Sequence, residues 1–241
     1  MTVRPLPTAV QRPEVLSSAF AEQSKSRLLQ GLAKPDLDSI LAAATPRRYL
    51  ADSIVVNQGE PAEHFFLLTK GQARHFFLTP EGRKVLLIWL GPGEIFGGAT
   101  IALSPAFYLL STEMVEDTWV LVWQRKVIRE LAARYPQLME NALLIAGDYL
   151  TWFLAAHVAL ISHSARERVA GVLVSLAEGI GRKVSGGVKL DITNEQLANA
   201  ANVTPFTASR LLSEWQRNGA VVKSRGGVVL RALEQLFLHQ V

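Results

Sequence analysis

The sequence predicts an α+β protein, with an antiparallel β-rich half followed by a helical half. Three observations predict it. Apolar residues alternate with period two from Arg47 to Val122. They then recur at steps of three and four from Leu143 to Leu160. Finally, the stretch Thr193 to Gly219 carries the start, turn and stop signals of two short helices.

The chain has 241 residues and is 49% hydrophobic, enough for one large or two medium cores. Residues 1–25 carry Pro5, Pro7 and Pro13 and are expected to form a flexible arm, with a short helix from Glu14 to Gln23. Ser26 to Ala44 reads as helical, interrupted at Lys34-Pro35, where Asp36 to Ala44 restarts as a second short helix.

The period-two region contains the β-rich runs Ser53–Val56, His64–Leu68, Ala73–Leu78, Lys84–Leu90, Leu109–Val115 and Trp119–Val122. Turn residues such as Gly59-Glu60-Pro61, Lys70-Gly71 and Gly91-Pro92-Gly93 separate them. Regular short strands of this kind imply an antiparallel roll or barrel able to enclose a small ligand. Arg125 to Leu131 is a short helix.

A long helix from Pro136 to Ser162 follows. Leu143, Ala146, Leu150, Phe153, His157 and Leu160 form an a/d seam, the pattern of a helix that pairs with a second copy of itself. The alternative is burial against its own barrel. Residues 142–161 are long enough to span a bilayer. Asp148 near the middle, at about 2.5–3.5 kcal/mol of insertion cost, argues against a span.

Ser164-Ala165-Arg166-Glu167 is a capping box that opens a new helix to about Ile180 and marks a hinge. Gly181 to Gly187 reads as a loop and Lys189 to Ile192 as a strand. Thr193 and Gln196 form a second capping box. Asn202 marks the turn, Thr204 caps the next helix with Pro205 at its first position, and Gly219 ends it. Ala208, Leu211, Leu212 and Trp215 make the buried stripe; Phe206, Thr207, Ser209, Arg210 and Arg217 face outward. This is a helix-turn-helix whose second helix suits a DNA major groove. A helical hairpin that only packs is the alternative. Val221–Lys223 and Val228–Leu230 form a hairpin wing, with Lys223 and Arg225 within reach of phosphate. Arg231 to Leu238 is read as a closing helix.

Charge follows this division. Residues 164–241 hold 10 basic and 6 acidic side chains, whereas residues 1–163 are balanced at 15 each. The excess lies with the helix-turn-helix, as in a polyanion-binding module. There is no cysteine, which excludes disulfides, thiolate zinc and cysteine-held iron–sulfur clusters. No nucleotide-binding loop, nucleophile elbow or metal-spaced histidine pair is present, so no enzyme activity is expected. No signal-peptide run opens the chain, and a cytoplasmic location is expected.

The order of barrel, long helix, hinge and winged helix-turn-helix resembles the CRP/FNR superfamily of bacterial transcription regulators. The resemblance rests on Val56-x-Gln58-Gly59-Glu60-Pro61, Phe65-Phe66-Leu67-Leu68-x-x-Gly71, Pro92-Gly93-Glu94-x-Phe96-Gly97, Ile192-Thr193-x-x-x-Leu197-Ala198 and Thr204-x-x-Thr207-x-Ser209-Arg210. It implies a β-roll sensor over residues 26–134, a dimerisation helix over 135–163 and a DNA-binding domain over 164–241. It also implies a homodimer on a palindromic site, with RNA polymerase as a further partner. The DNA-contacting positions it implies are Thr193, Thr204, Pro205, Phe206, Thr207, Ser209, Arg210, Lys223 and Arg225.

The departures narrow this picture. Cyclic-nucleotide members of the family place a Glu on the ribose and an Arg on the phosphate; here those positions are Ala99 and Leu110. The corresponding effector pocket would be Gly98, Ala99, Thr100, Leu110, Ser111 and Thr112, with Phe153 and Leu154 from the long helix. No arginine lies between Arg83 and Arg125, so a bound phosphate would be uncompensated and cyclic AMP is not expected. The cavity is expected to be apolar. Haem is one candidate effector, with His157 or His75 on the iron; a regulator without any effector is the other. The preferred readings are a register-fixing heptad residue for His157 and an exposed strand residue for His75. Family members often carry Glu where Phe206 stands and Arg where Pro205 stands. Arg210 therefore remains as the reader of a guanine, and Phe206 could pack on a thymine methyl.

Overall fold

The computed structural model describes residues 26–102, 104, 106–224 and 226–237. The expected arm, with its helix from Glu14 to Gln23, lies outside the described residues, as do Arg225 and His239. The chain divides into two compact units, one on residues 1–83 and 90–150, the other on 84–89 and 151–241.

The first unit opens with a single 3-10 turn, Arg27–Leu29, and helix α1, Lys34–Ala42. Pro35 sits in the first turn of α1, where its missing N–H costs nothing, so the expected second helix is present and begins at Lys34. Eight short strands follow in chain order: β1 (Thr45–Tyr49), β2 (Ile54–Val56), β3 (His64–Lys70), β4 (Ala73–Leu78), β5 (Lys84–Leu90, of which Lys84–Trp89 group with the second unit), β6 (Ile95–Phe96), β7 (Ser111–Met114) and β8 (Thr118–Gln124). They make two four-stranded sheets, ordered β1-β8-β3-β6 and β2-β7-β4-β5. Helix α2, Ala99–Ala102, follows β6, and α3, Arg125–Arg134, follows β8.

One face of β3 and β8 builds the core of this unit. Phe65, Leu67 and Trp123 cluster with Leu28, Ile40, Ile128 and Leu138. Trp123 Nε1 donates to the Ile40 carbonyl at 2.8 Å, so this buried ring leaves no orphan donor. Two glycines of the quoted motifs are forced by geometry. Gly71 has φ +93° and Gly97 has φ +77°; a Cβ on Gly97 would lie 2.5 Å from the His64 carbonyl oxygen.

Helix α4, Pro136–Ser162, runs 27 residues. Its start is pinned by Asn141, whose side-chain amide donates to the carbonyls of Leu28 and Gln30 at 2.8 Å each.

The second unit contains α5 (Ala165–Gly179), α6 (Asn194–Ala200), α7 (Pro205–Arg217) and a four-stranded sheet. The sheet uses β9 (Arg182–Val184), β10 (Gly187–Leu190), β11 (Val221–Ser224) and β12 (Gly227–Leu230), ordered β11-β12-β10-β9. The expectation of a loop over residues 181–187 is corrected, because β9 pairs antiparallel with β10. The expected β11–β12 hairpin is present, and β12 also pairs with β10. The closing helix shrinks to a 3-10 turn, Leu233–Leu236. Val169, Ala170 and Leu173 of α5, Leu197 and Ala198 of α6, Leu211 and Trp215 of α7, and Val221 are all buried.

Candidate nucleic-acid interface and sensor barrel

The helix-turn-helix is assembled by local hydrogen bonds. Thr193 Oγ1 accepts from the Gln196 N–H at 3.2 Å, and Gln196 Oε1 accepts from the Thr193 N–H at 2.8 Å. Asn202 takes the left-handed conformation, φ +49°, and the Val203 N–H returns to the Ala198 carbonyl at 2.9 Å. Thr204 Oγ1 accepts from the Thr207 N–H at 3.1 Å, opening α7 with Pro205 in its first turn.

These caps divide the predicted DNA-facing residues. The hydroxyls of Thr193 and Thr204 are engaged in capping, and Thr207 Oγ1 lies 3.0 Å from Thr204 Oγ1. Phe206 and Pro205 are exposed in the first turn, Phe206 at 77%. Arg210 is exposed one turn later, and Ser209 is half-buried. Lys223 is anchored on α7: its ammonium donates to Ser213 Oγ at 2.6 Å and to the Ser209 carbonyl at 3.4 Å.

Behind this face stand two contacts that no motif marked. Arg166 of α5 pairs with Glu214 of α7 and lies over the Trp215 ring, 5.4 Å from its centroid. Arg168 donates to three carbonyls, those of His163 (2.8 Å), Ala201 (3.0 Å) and Asn202 (3.3 Å). Lone arginines on a helix carry no sequence signal for such roles, because their acceptors lie up to 48 residues away.

In the barrel, the segment expected to meet an effector is hydrogen-bonded to itself. Thr100 Oγ1 donates to the Gly97 carbonyl at 2.8 Å. Ser111 Oγ accepts from the Gln58 N–H at 3.0 Å. Thr112 Oγ1 lies 3.0 Å from His75 Nδ1, directly across the β4–β7 pair. Ala99 and Leu110 are half-buried and Gly98 is exposed. The hydroxyls of Thr100, Ser111 and Thr112 are thus engaged by groups of the barrel itself.

The reading of His75 as an exposed strand residue is corrected. Its ring meets Phe96 edge-on, with centroids 6.4 Å apart, and Phe96 stacks on Phe66 at 4.3 Å. Burial drives the His75 pKa down to about 4, so it is neutral at physiological pH. The nearby buried cation, Arg74, is already paired with Glu113 at 2.6 Å.

On α4, the seam residues Leu143, Ala146, Leu150, His157 and Leu160 are exposed. Phe153 is half-buried, its ring 5.0 Å from that of Trp152, and Leu154 is 59% exposed. Among the described residues, α4 is the one helix long and apolar enough to cross a membrane, by length and composition. Asp148 on it is ion-paired with Arg27. No cluster of three or more His, Asp or Glu side chains suited to a metal occurs among the described residues.

A β-barrel joined through a long helix to a winged helix-turn-helix defines a DNA-binding transcription regulator. Comparison with known proteins agrees. The cyclic nucleotide-binding domain family matches residues 46–135, and the Crp-like helix-turn-helix domain family matches residues 167–237. The chain belongs to the CRP/FNR superfamily. It is 29% identical over 207 residues to the cyclic AMP receptor protein of Thermus thermophilus, covering 86% of this chain and 93% of that protein. It is 22% identical over 215 residues to a CRP-like cAMP-activated global transcriptional regulator of Mycobacterium tuberculosis, covering 88% and 96%. The fold matches the solved structure of FixK2 from Bradyrhizobium japonicum with a TM-score of 0.70, at 24% identity over 80% of this chain and 95% of that one.

Proposed function

We propose that this regulator acts in the cytoplasm as a homodimer, paired through the α4 seam, on a two-fold symmetric DNA site near RNA polymerase. The observation that carries the DNA reading is the outer face of α7. There an exposed apolar ring, Phe206, stands one turn from an exposed guanidinium, Arg210. Arg210 suits a bidentate contact with guanine O6 and N7. Exposure of an apolar a/d seam supports the dimer, since such a stripe needs a partner and a second copy supplies a matching one. Selection from random DNA, with the natural chain and with Arg210→Ala, tests the reading. A symmetric site with one strongly read G·C pair per half-site, lost in the variant, is expected. Identical preferences in both would refute it.

The effector, if one is used, is not a cyclic nucleotide. Thr100, Ser111, Thr112 and His75 are hydrogen-bonded within the barrel, and Arg74 is paired with Glu113. No free cation on this segment is left to offset a buried phosphate. Cyclic AMP is therefore expected to leave DNA affinity unchanged in an anisotropy titration. A tenfold gain in affinity would overturn the assignment. The haem alternative would use His157 or the Nε2 of His75, since Thr112 engages only Nδ1 of that ring, and a Soret band in the purified protein, lost in His157→Ala or His75→Ala, would support it.

A further inference from the structure

Four residues of α7 lie in one line. Phe206, Arg210, Ser213 and Arg217 follow at steps of four, three and four, the spacing of a single helix face. Arg217 stands seven residues beyond Arg210, about 10.5 Å further along the axis. The major groove is about 12 Å wide. A helix that presents Phe206 and Arg210 to base edges therefore carries Arg217 out to the phosphate rim.

The same place holds a second cation. Lys223 reaches over from β11, and its ammonium is fixed by Ser213 Oγ at 2.6 Å and the Ser209 carbonyl at 3.4 Å. Both partners are uncharged, so the full positive charge of Lys223 remains. Ser213, Gln216, Arg217 and Lys223 line one shallow concavity, and none of these four is acidic. The nearest acidic residue of α7, Glu214, is taken by Arg166. Ser213 is spent on holding Lys223, its own hydroxyl donating to the Ser209 carbonyl at 2.8 Å. One anchored cation, one exposed guanidinium and a side-chain amide around one hollow match the needs of a phosphodiester oxygen.

We infer that the concavity formed by Ser213, Gln216, Arg217 and Lys223 is a clamp for a DNA backbone phosphate outside the bases read by Phe206 and Arg210. This rests on the DNA reading of α7. The clamp anchors the C-terminal end of the helix, so the half-site extends beyond its base contacts by a segment held without regard to sequence.

The test uses the full chain and a duplex carrying the selected site, followed by anisotropy over a range of KCl concentrations. Each phosphate contact given up reduces the slope of log affinity against log salt by about 1. The double variant Arg217→Gln/Lys223→Gln is expected to flatten the slope by about 2 per dimer, one phosphate from each half-site. It should weaken selected and scrambled duplexes alike. Neutral methylphosphonates at the outer phosphates should weaken the natural chain and not the variant. Circular dichroism of the variant checks that the fold is kept. A variant with unchanged slope, or one that loses affinity for the selected sequence alone, overturns the clamp while leaving the DNA reading intact. A natural chain that binds no duplex overturns both.

Discussion

Arg168 Nε donates to the carbonyl of Ala201 at 3.0 Å, tying α5 to the turn between the two helices of the DNA-binding motif. Its other nitrogens hold the His163 carbonyl at the end of α4 and the Asn202 carbonyl in the turn. One guanidinium thus holds the hinge and the turn together. Replacing Arg168 by Met leaves three carbonyls without their charged donor and is expected to cost about 1.5–3 kcal/mol. Urea unfolding of the variant measures it. Arg168→Lys should recover only a part, since an ammonium lacks the planar fork. A midpoint equal to that of the natural chain would exclude this role.

The Arg166–Glu214 pair is mostly buried, at 13% and 19% side-chain exposure. Removing one partner strands the other charge, at roughly 3–5 kcal/mol. Arg166→Met and Glu214→Met are each expected to destabilise strongly, and the double variant less than their sum. Strict additivity in the cycle would show the pair to be uncoupled.

His75 makes stability pH-dependent. Its pKa is held near 4 in the fold, against about 6.5 in an unfolded chain. Between those values the unfolded chain binds the extra proton, so stability falls as pH drops through the window and is fully present above it. The loss amounts to roughly 3 kcal/mol by pH 4. His75→Gln should flatten the curve between pH 6.5 and 4 by that amount, read from thermal unfolding across the window. Parallel curves for the two chains would rule it out.

If Phe206 packs on a thymine methyl, replacing the contacted thymine by deoxyuridine should weaken the natural chain by about 1 kcal/mol, the worth of one buried methyl. Phe206→Ala should be indifferent to that replacement. Equal losses in both proteins would assign the methyl to another residue.

Leu150 is 61% exposed at the centre of the seam. Leu150→Arg places two like charges opposite each other in a paired seam, and a shift from dimer to monomer in sedimentation is expected. A dimer of unchanged strength would move the interface elsewhere.

Much of this was legible in residue order. The caps at Ser164, Thr193 and Thr204, the turn at Asn202 and the length of α4 follow from interactions within four residues, and the fold places them as expected. Short strands were harder. β6 has two residues, and β9 has three, flanked by Gly181 and Gly186-Gly187, so neither offers a period to read. His75 departs from its expected exposure for a different reason. Both faces of β4 are covered at this point, Arg74 by Glu113 and His75 by Thr112, so polar residues on it do not mark the solvent side.

Sequence by itself determined the longer elements, their order, the heptad pattern of α4 and the chemical character of α7, because propensity, capping and periodicity act over one or two turns. Only the tertiary structure decided which polar groups are already committed. The His75–Thr112 contact spans 37 residues and the Arg168–Ala201 contact spans 33. Contacts of that range depend on strand register and helix packing, which local residue order does not carry. The same packing brings Lys223 of β11 onto Ser213 of α7 and leaves two cations around one open hollow.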